Sequence, residues 1–192
     1  MEETEILLTK GLLYRAEALM AAVIAAKWRW RVQQGQELLI SFNGQPLHYN
    51  VVLNALQEAG AIHLRYLAEF FGLTVSPNGE RKEKSGSGDD LRVNCLFTAS
   101  TPTSLITWKM ASEDVNLGEK FCHSLQSCLV ATNKLLAHPT TRLIRDSVIL
   151  EPQDFKQAAT GILQLLAAVV YEPRGRMQEL LNKCPGLEVL EK

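Results

Sequence analysis

The sequence has little excess charge and no long hydrophobic run. Its 20 lysine and arginine residues are balanced by 21 aspartate and glutamate residues, which gives a formal net charge of -1. No stretch approaches the ~20 consecutive apolar residues that a membrane-spanning helix needs. Non-specific nucleic-acid binding depends on many cations acting together, so this balance excludes a globally basic surface. We therefore expect no membrane association, and any contact with nucleic acid must be local.

Cysteine is also scarce. The four cysteines form no CxxC pair and share no spacing with the histidines, so we expect buried, reduced thiols rather than a metal site. The first residues lack the basic-then-apolar order of a signal peptide, which predicts a cytoplasmic protein. The phosphate-loop, dinucleotide-binding, zinc-protease and esterase motifs are absent as well. We expect neither a metal nor a cofactor.

Apolar residues recur at helical spacing along most of the chain. With 192 residues, of which 46% are hydrophobic, one domain can bury an ample core. Steps of three and four residues predict helices over 4–34, 47–71, 112–137, 153–171 and 176–183. The predicted fold is all-α: one domain over residues 1–192, a four- to five-helix bundle with a long irregular crossover between helices 2 and 3.

The segments between these helices differ in composition. Residues 36–47 alternate apolar and other residues around Asn43-Gly44, which is typical of a short hairpin but also of a hydrophobic loop that packs over a bundle. Residues 76–90 are glycine, serine and mixed charge with no apolar residue after Pro77, which predicts a mobile loop. Ser112, followed by two acidic residues, predicts the start of the third helix.

The second predicted helix is apolar over much of its circumference. Val52, Leu56, Ala59, Tyr66 and Phe70 share one stripe, and further leucines lie beside it. A helix of this kind is central, so we expect it to pack against two or more neighbours. An apolar helix face of this extent also predicts self-association into a homodimer.

Residues 27–31 alternate cations with tryptophans near the end of the first helix. This composition can stack bases and contact phosphates. On a helix, however, consecutive residues point about 100° apart, so the five side chains cannot form one flat platform. The alternative is that the cations complement the negative end of the helix dipole while Trp28 or Trp30 fills the core.

Five polar residues are candidates for a ligand-binding site. His63 lies on the apolar stripe of the second helix, and Arg65 follows it on the polar face; Asn133, His138 and Arg142 lie around the end of the third helix. Each also has a structural explanation, because a core histidine, a surface ion pair and helix-end caps are common. The pattern alone leaves both interpretations open.

Several motifs share their order and spacing with a known family. They are NALQE at 54–58, HLRYLAEFF at 63–71, the acidic pair Asp89-Asp90, and NKLLAHPTTR at 133–142. Together they resemble an uncharacterised bacterial helical protein family that carries an H-x-R-x-L-x-x-F-F helix, a DD pair and an N-K-x-L-A-H helix end. The resemblance covers residues 50–145. That family is similar to the HEPN superfamily of four-helix bundles, many of which are RNases or RNA-binding partners.

The resemblance implies a function as well as a fold. Active HEPN nucleases carry an arginine four to six residues before a histidine, and no histidine in this sequence has an arginine at that offset. The resemblance therefore favours a non-catalytic binding or regulatory module of HEPN-like build, with a protein partner or RNA as its ligand. Its ligand-binding residues would be His63, Arg65, Asn133, His138 and Arg142. The alternative is an RNase or other phosphodiester-directed enzyme that uses His63, Arg65 and His138.

Overall fold

A computed structural model describes residues 2–83, 92–96, 105–137 and 151–187. Helices make up most of these ranges, and the strands form two small antiparallel hairpins, so the predicted all-α bundle is confirmed. The elements that follow the first helix are β1 (Ile40–Phe42), β2 (Gln45–Leu47), α2 (Tyr49–Phe71), β3 (Leu73–Val75), β4 (Arg81–Glu83), a 3₁₀ turn (Val93–Leu96), α3 (Trp108–Glu113), α4 (Gly118–Ala137), α5 (Pro152–Leu165) and α6 (Met177–Lys183).

The first helix, α1, runs without a break through three segments. They are Glu2–Ile6, the π-helical Leu7–Leu12, and Leu13–Gln33. The residues at both junctions keep right-handed helical backbone angles, so the π-helical turn is an insertion within one helix and not a boundary. The predicted helix over 4–34 is thus observed over residues 2–33, two residues earlier at its start and one residue earlier at its end.

Helix α2 is the central element, as its composition predicts. His48 caps its start by accepting a hydrogen bond from the backbone N–H of Asn50 (3.3 Å), and Gly72 ends it with φ +98°. The helix packs against α1, α4 and α5. Its buried side chains are Leu53, Gln57, Ala61, His63, Leu64, Leu67, Ala68, Phe70 and Phe71.

Two helices approach α2 so closely that only glycine fits at the contact. A Cβ atom on Gly60 would lie 2.2 Å from the Cβ of Ala22 on α1 and 2.9 Å from the ring of Phe155 on α5. Neither distance is compatible with ordinary packing, so the missing side chain is what lets the three helices meet. This contact anchors the centre of the bundle.

The segment between α1 and α2 is a hairpin. Ile40 pairs with Leu47, and Phe42 pairs with Gln45. Asn43 and Gly44 form the two-residue turn with φ of 50° and 75°, as a type I′ turn requires. The hairpin is therefore the correct one of the two structures that the composition of residues 36–47 allows.

The prediction of a mobile loop at 76–90 is wrong for residues 81–83, which form strand β4. Strand β4 pairs with β3, and Ser76 Oγ accepts a hydrogen bond from the N–H of Glu80 (3.1 Å). The carboxamide of Gln126 on α4 donates to the carbonyl of Gly79 (2.8 Å) and accepts from Arg81 Nε (2.9 Å). The physical reason is that short polar side chains close this turn themselves and α4 holds it, so no apolar residue is needed. Residues 84–91, with the Asp89-Asp90 pair, lie outside the described residues.

The predicted start of the third helix at Ser112 is also wrong. Ser112 belongs to the short helix α3, where its hydroxyl donates to a backbone carbonyl of the same helix (2.9 Å). Thr107 caps α3 by accepting from a first-turn N–H (3.1 Å). The long helix α4 begins only at Gly118, after a turn that Asp114 stabilises. The polar side chain that orders this boundary is that of Asp114, which accepts hydrogen bonds from backbone N–H groups of the turn before α4.

The C-terminal part of the chain contacts α1 through a buried hydrogen bond and an ion pair. Helix α5 continues into a π-helical segment, Leu166–Tyr171, and the buried hydroxyl of Tyr171 donates to the carbonyl of Leu8 (2.7 Å) in the π-helical turn of α1. Arg176 pairs with Glu5 (2.7 Å) and with Glu179 (2.7 Å). The two π-helical segments, far apart in sequence, therefore meet through one buried hydrogen bond.

The contact at Gly60 predicts that alanine at this position destabilises the protein, although alanine usually stabilises a helix relative to glycine. Alanine is favoured over glycine by about 1 kcal/mol inside a helix, yet Gly60→Ala should lower the free energy of unfolding by about 1–3 kcal/mol because the added methyl overpacks the contact. The matched control is Gly11→Ala on α1, where the end of the flexible Leu7 side chain, at 3.1 Å, is what an added Cβ would meet. Urea denaturation should show no loss in the free energy of unfolding for Gly11→Ala. Equal losses for Gly60→Ala and Gly11→Ala would contradict this explanation.

Candidate functional site

Helix α5 has two faces of different chemistry. One face is buried, with Phe155, Ala158, Ala159 and Ile162 fully covered. The other face carries side chains that can form hydrogen bonds, spaced by three or four residues so that they lie on one side of the helix. They are Gln153, Lys156, Gln157, Thr160 and Gln164.

This hydrogen-bonding face forms a wall of a cleft of about 1070 Å³, which we call the α5 cleft. The turn at residues 115–117 lines it as well, and Glu172 and Met177 contribute beyond the end of α5. Three of its lining residues, Phe121, Gly161 and Ala167, are buried. The volume lies just above the range of about 300–1,000 Å³ that is usual for small-molecule sites.

The turn beside the cleft is held by one carboxylate. Asp114 Oδ1 accepts hydrogen bonds from the backbone N–H groups of Asn116 (2.8 Å) and Leu117 (3.1 Å). Gly118 then adopts φ +70°, a conformation that glycine reaches without strain. The local sequence thus ends α3 and starts α4 at a defined bend, and Val115 and Asn116 line the cleft at that bend.

A close helix contact lies at the cleft. A Cβ atom on Gly161 would lie 2.2 Å from the ring of Phe121. The aromatic ring therefore packs directly on the backbone of α5, and both residues line the cleft. The cleft thus combines apolar lining residues with the hydrogen-bonding groups of α5.

The polar groups of the α5 cleft suit recognition better than acid–base chemistry. Among the described lining residues, Lys156 and Glu172 are the charged ones, and no histidine or cysteine is present. Four carboxamides can each donate and accept hydrogen bonds; they belong to Asn116, Gln153, Gln157 and Gln164. Thr160 Oγ1 is buried and has no hydrogen-bond partner in the part of the chain that the structure describes. A ligand with amide groups would satisfy these atoms.

His63 lies away from the α5 cleft, in the contact between α2 and α1. Arg15 donates from its guanidinium to His63 Nδ1 (3.2 Å), and because a guanidinium can only donate, Nδ1 must be the acceptor. The ring of Tyr14 meets the imidazole edge to face, with centroids 5.3 Å apart. The Arg15 guanidinium also stacks on the ring of Tyr66, 3.4 Å from its centroid. His63 is therefore a packed, hydrogen-bonded member of a helix contact.

The surroundings of His63 oppose protonation. Burial lowers the pKa of His63 below its usual value of 6.5, and the positive charge of Arg15 lowers it further. The ring is consequently neutral near pH 7, in agreement with an unprotonated Nδ1 that accepts from Arg15.

The other candidate residues are placed separately as far as they are described. Arg65 forms an ion pair with Glu69 (2.8 Å) one turn along α2. Asn133 lies near the end of α4 and is half-buried. His138 and Arg142 fall outside the described residues. The structure brings His63 to Arg15 and Arg65 to Glu69, and the convergence of the five candidates on one site stays a prediction.

Three cysteines have the buried positions that the sequence predicts. Cys122, Cys128 and Cys184 are free and buried. Burial raises the pKa of each thiol, that of Cys184 to about 12, so none is a reactive thiolate near neutral pH. Within the described ranges, no three histidine, cysteine or acidic side chains are grouped so that they could hold a metal ion.

The α5 cleft is not among the sites that the sequence predicts. The spacing of Gln153, Gln157, Thr160 and Gln164 was available as a signal, because it places four uncharged polar side chains on one side of α5. Such residues also occur on ordinary solvated faces, so spacing alone does not reveal a concave surface. The opposite wall depends on the Asp114 turn, which the predicted helix start at Ser112 obscured.

The lowered pKa of His63 predicts a pH dependence of stability. Because the unfolded chain binds the proton more tightly, the free energy of unfolding should fall as the pH drops below 6.5 and level off below the folded-state pKa. Titration of wild-type protein between about pH 7.5 and 5 by urea denaturation should show this fall, and His63→Gln should remove it. The exposed His123 is the control: His123→Gln should keep the wild-type slope, and a wild-type slope in His63→Gln would contradict the assignment.

Comparisons with known protein families, with curated protein sequences and with solved structures found no match to this chain. Among the described residues, no helix combines the length and apolar character that crossing a membrane requires.

Proposed function

We propose that this chain is a non-catalytic binding or regulatory module of HEPN-like build, which binds a segment of a partner protein in the α5 cleft. The observation that carries this proposal is the cleft itself: a volume of about 1070 Å³ whose described polar lining consists mainly of carboxamides. A concave surface with an apolar interior and a few convergent polar groups is the usual form of a binding site.

The chemistry of the lining favours a peptide over RNA. An extended peptide presents alternating N–H and C=O groups, and carboxamides pair with both. A polyanion would need several cations in the site, whereas Lys156 is the one described cation of the lining and Glu172 balances it. The buried Thr160 hydroxyl offers a further hydrogen bond to a ligand that enters the cleft.

The position of His63 supports a non-catalytic function. A general base must reach the substrate and take up a proton. His63 is not among the residues that line the α5 cleft, its Nδ1 accepts from Arg15, and its pKa is lowered by burial. The alternative of an RNase that combines His63, Arg65 and His138 stays a prediction, because His138 lies outside the described residues.

The proposal predicts a peptide-binding activity that depends on the cleft. Short peptides selected from a random library on the full chain should bind in solution, as measured by fluorescence polarisation. Ala168→Trp fills the cleft from an exposed position on its lining and should weaken binding by at least about tenfold. Ala55→Trp, at an exposed position on α2, is the matched control and should leave the Kd within about twofold of wild type.

Three outcomes would contradict the proposal. The selected peptides bind the Ala168→Trp protein as tightly as wild type, no peptide is selected at all, or the purified chain cleaves labelled RNA. We expect the RNA to stay intact. Cleavage by wild type that His63→Ala abolishes would establish the enzyme alternative instead.

A further inference from the structure

One part of the bundle has no core of its own. Residues 27–52, which we call the arm, comprise the end of α1, the β1–β2 hairpin and the start of α2. The chain is fully described here, and no side chain between the buried Ala26 and the buried Leu53 is itself buried. The arm therefore projects beyond the packed part of α1 and α2.

The arm nevertheless carries large apolar side chains. Single exposed apolar residues are ordinary, but several on one projecting element mark an interaction surface. The expectation that Trp28 or Trp30 fills the core is wrong, because Trp28 is half-buried and Trp30 is exposed. The exposed fractions of the large apolar residues are Trp30 57%, Leu39 92%, Phe42 67%, Leu47 43% and Val51 65%.

The hairpin of the arm has one apolar face. Ile40 and Phe42 alternate with Ser41 and so point to the same side, and Leu47 lies opposite Ile40. The other side carries the Ser41 and Pro46 pair. A two-stranded hairpin is marginally stable in water unless its apolar face is packed, and this face is exposed.

The charge of the arm indicates what covers that face. No aspartate, glutamate, lysine or arginine occurs between Leu38 and Gln57, so the apolar face of the hairpin carries no ionic group of its own. The charged residues of the arm all precede the hairpin; they are Lys27, Arg29, Arg31 and Glu37. Arg29 bonds to Asn54, and Arg31 lies over the ring of Trp28 (5.0 Å). An uncharged apolar patch is typical of the interface between identical subunits, where it does not repel its own copy.

The exposed area is sufficient for such an interface. The five large apolar residues of the arm together expose roughly 600 Å² on one copy. Leu39, which precedes β1, is one of them but is not part of the apolar face of the hairpin. A two-fold contact that covers all five residues on both copies buries about 1,200 Å², the lower end of the range for specific complexes.

We infer that the arm is the interface through which two copies of this chain form a symmetric dimer, with the apolar face of the β1–β2 hairpin at its centre. Trp30 and Val51 flank that centre from the two helices. This inference rests on the arm alone and is independent of the α5 cleft.

Sedimentation velocity on the full chain between about 1 and 100 µM tests the inference. Wild type should show a concentration-dependent species of twice the chain mass. The double variant Phe42→Ser/Leu47→Ser should raise the dimer dissociation constant by at least about 30-fold. The matched control is Met110→Ser, since Met110 is 49% exposed on α3 and lies outside both the arm and the α5 cleft; it should dimerise like wild type.

A second variant separates loss of the interface from loss of the hairpin. Val51→Glu leaves the hairpin sequence intact and places two like charges near each other across the symmetry axis, so it should also be monomeric. Far-ultraviolet circular dichroism should show wild-type helix content for both variants. A wild-type chain that stays monomeric over the whole range, or a double variant or Val51→Glu protein that dimerises as tightly as wild type, would overturn the inference.

Discussion

The close approach of α1, α2 and α5 at Gly60 fixes how the three helices pack together. With no side chain at Gly60, Ala22 of α1 and the Phe155 ring of α5 both pack against the central helix. Close-packed interiors tolerate little change in side-chain volume. Helix α5 lies directly on α2 at this point, and its hydrogen-bonding residues lie on the side that lines the cleft. A second contact of the same kind joins Gly161 of α5 to Phe121 of α4, and both residues line the α5 cleft.

The packed part of the bundle and the arm differ in how they are stabilised. In the packed part, apolar burial is reinforced by a few specific bonds, such as that from Tyr171 to the Leu8 carbonyl and that from Arg15 to His63. The arm has no core, and its hairpin carries no charged residue. Two surfaces with different chemistry result, because the α5 cleft offers amide hydrogen bonds whereas the arm offers an uncharged apolar face. A regulatory module needs this kind of separation if self-association and partner binding are to occur independently.

Much of the fold could be predicted from the sequence, because its signals are local. Helical spacing predicted the long helices, and Asn43-Gly44 predicted a turn that requires two residues with positive φ. What could not be predicted depends on contacts between distant residues. The turn at 76–83 is held by Gln126, and Tyr171 finds its partner 163 residues away in Leu8. Propensity alone contains no information about such partners.

The candidate site depends even more on contacts between distant residues, which local sequence patterns do not reveal. His63 was singled out because it lies on an apolar stripe, and the structure explains it by Arg15, which no spacing rule connects to it. The α5 cleft was missed because its two walls come from different elements, and concavity is a property of their packing. Helical position alone allows Trp28 or Trp30 to fill the core, but Trp30 is exposed because the buried part of α1 ends at Ala26.

Amide hydrogen exchange, followed by mass spectrometry at low and high protein concentration, distinguishes a tightly packed bundle, centred on α2, from an arm that only a second copy covers. We expect amides of residues 60–71 to exchange slowly at every concentration, as in a core that opens by global unfolding. Amides of residues 38–47 should exchange rapidly in dilute protein and become protected as the concentration rises. Equal protection of the arm and the core in dilute protein, or an arm that stays unprotected at high concentration, would contradict the account.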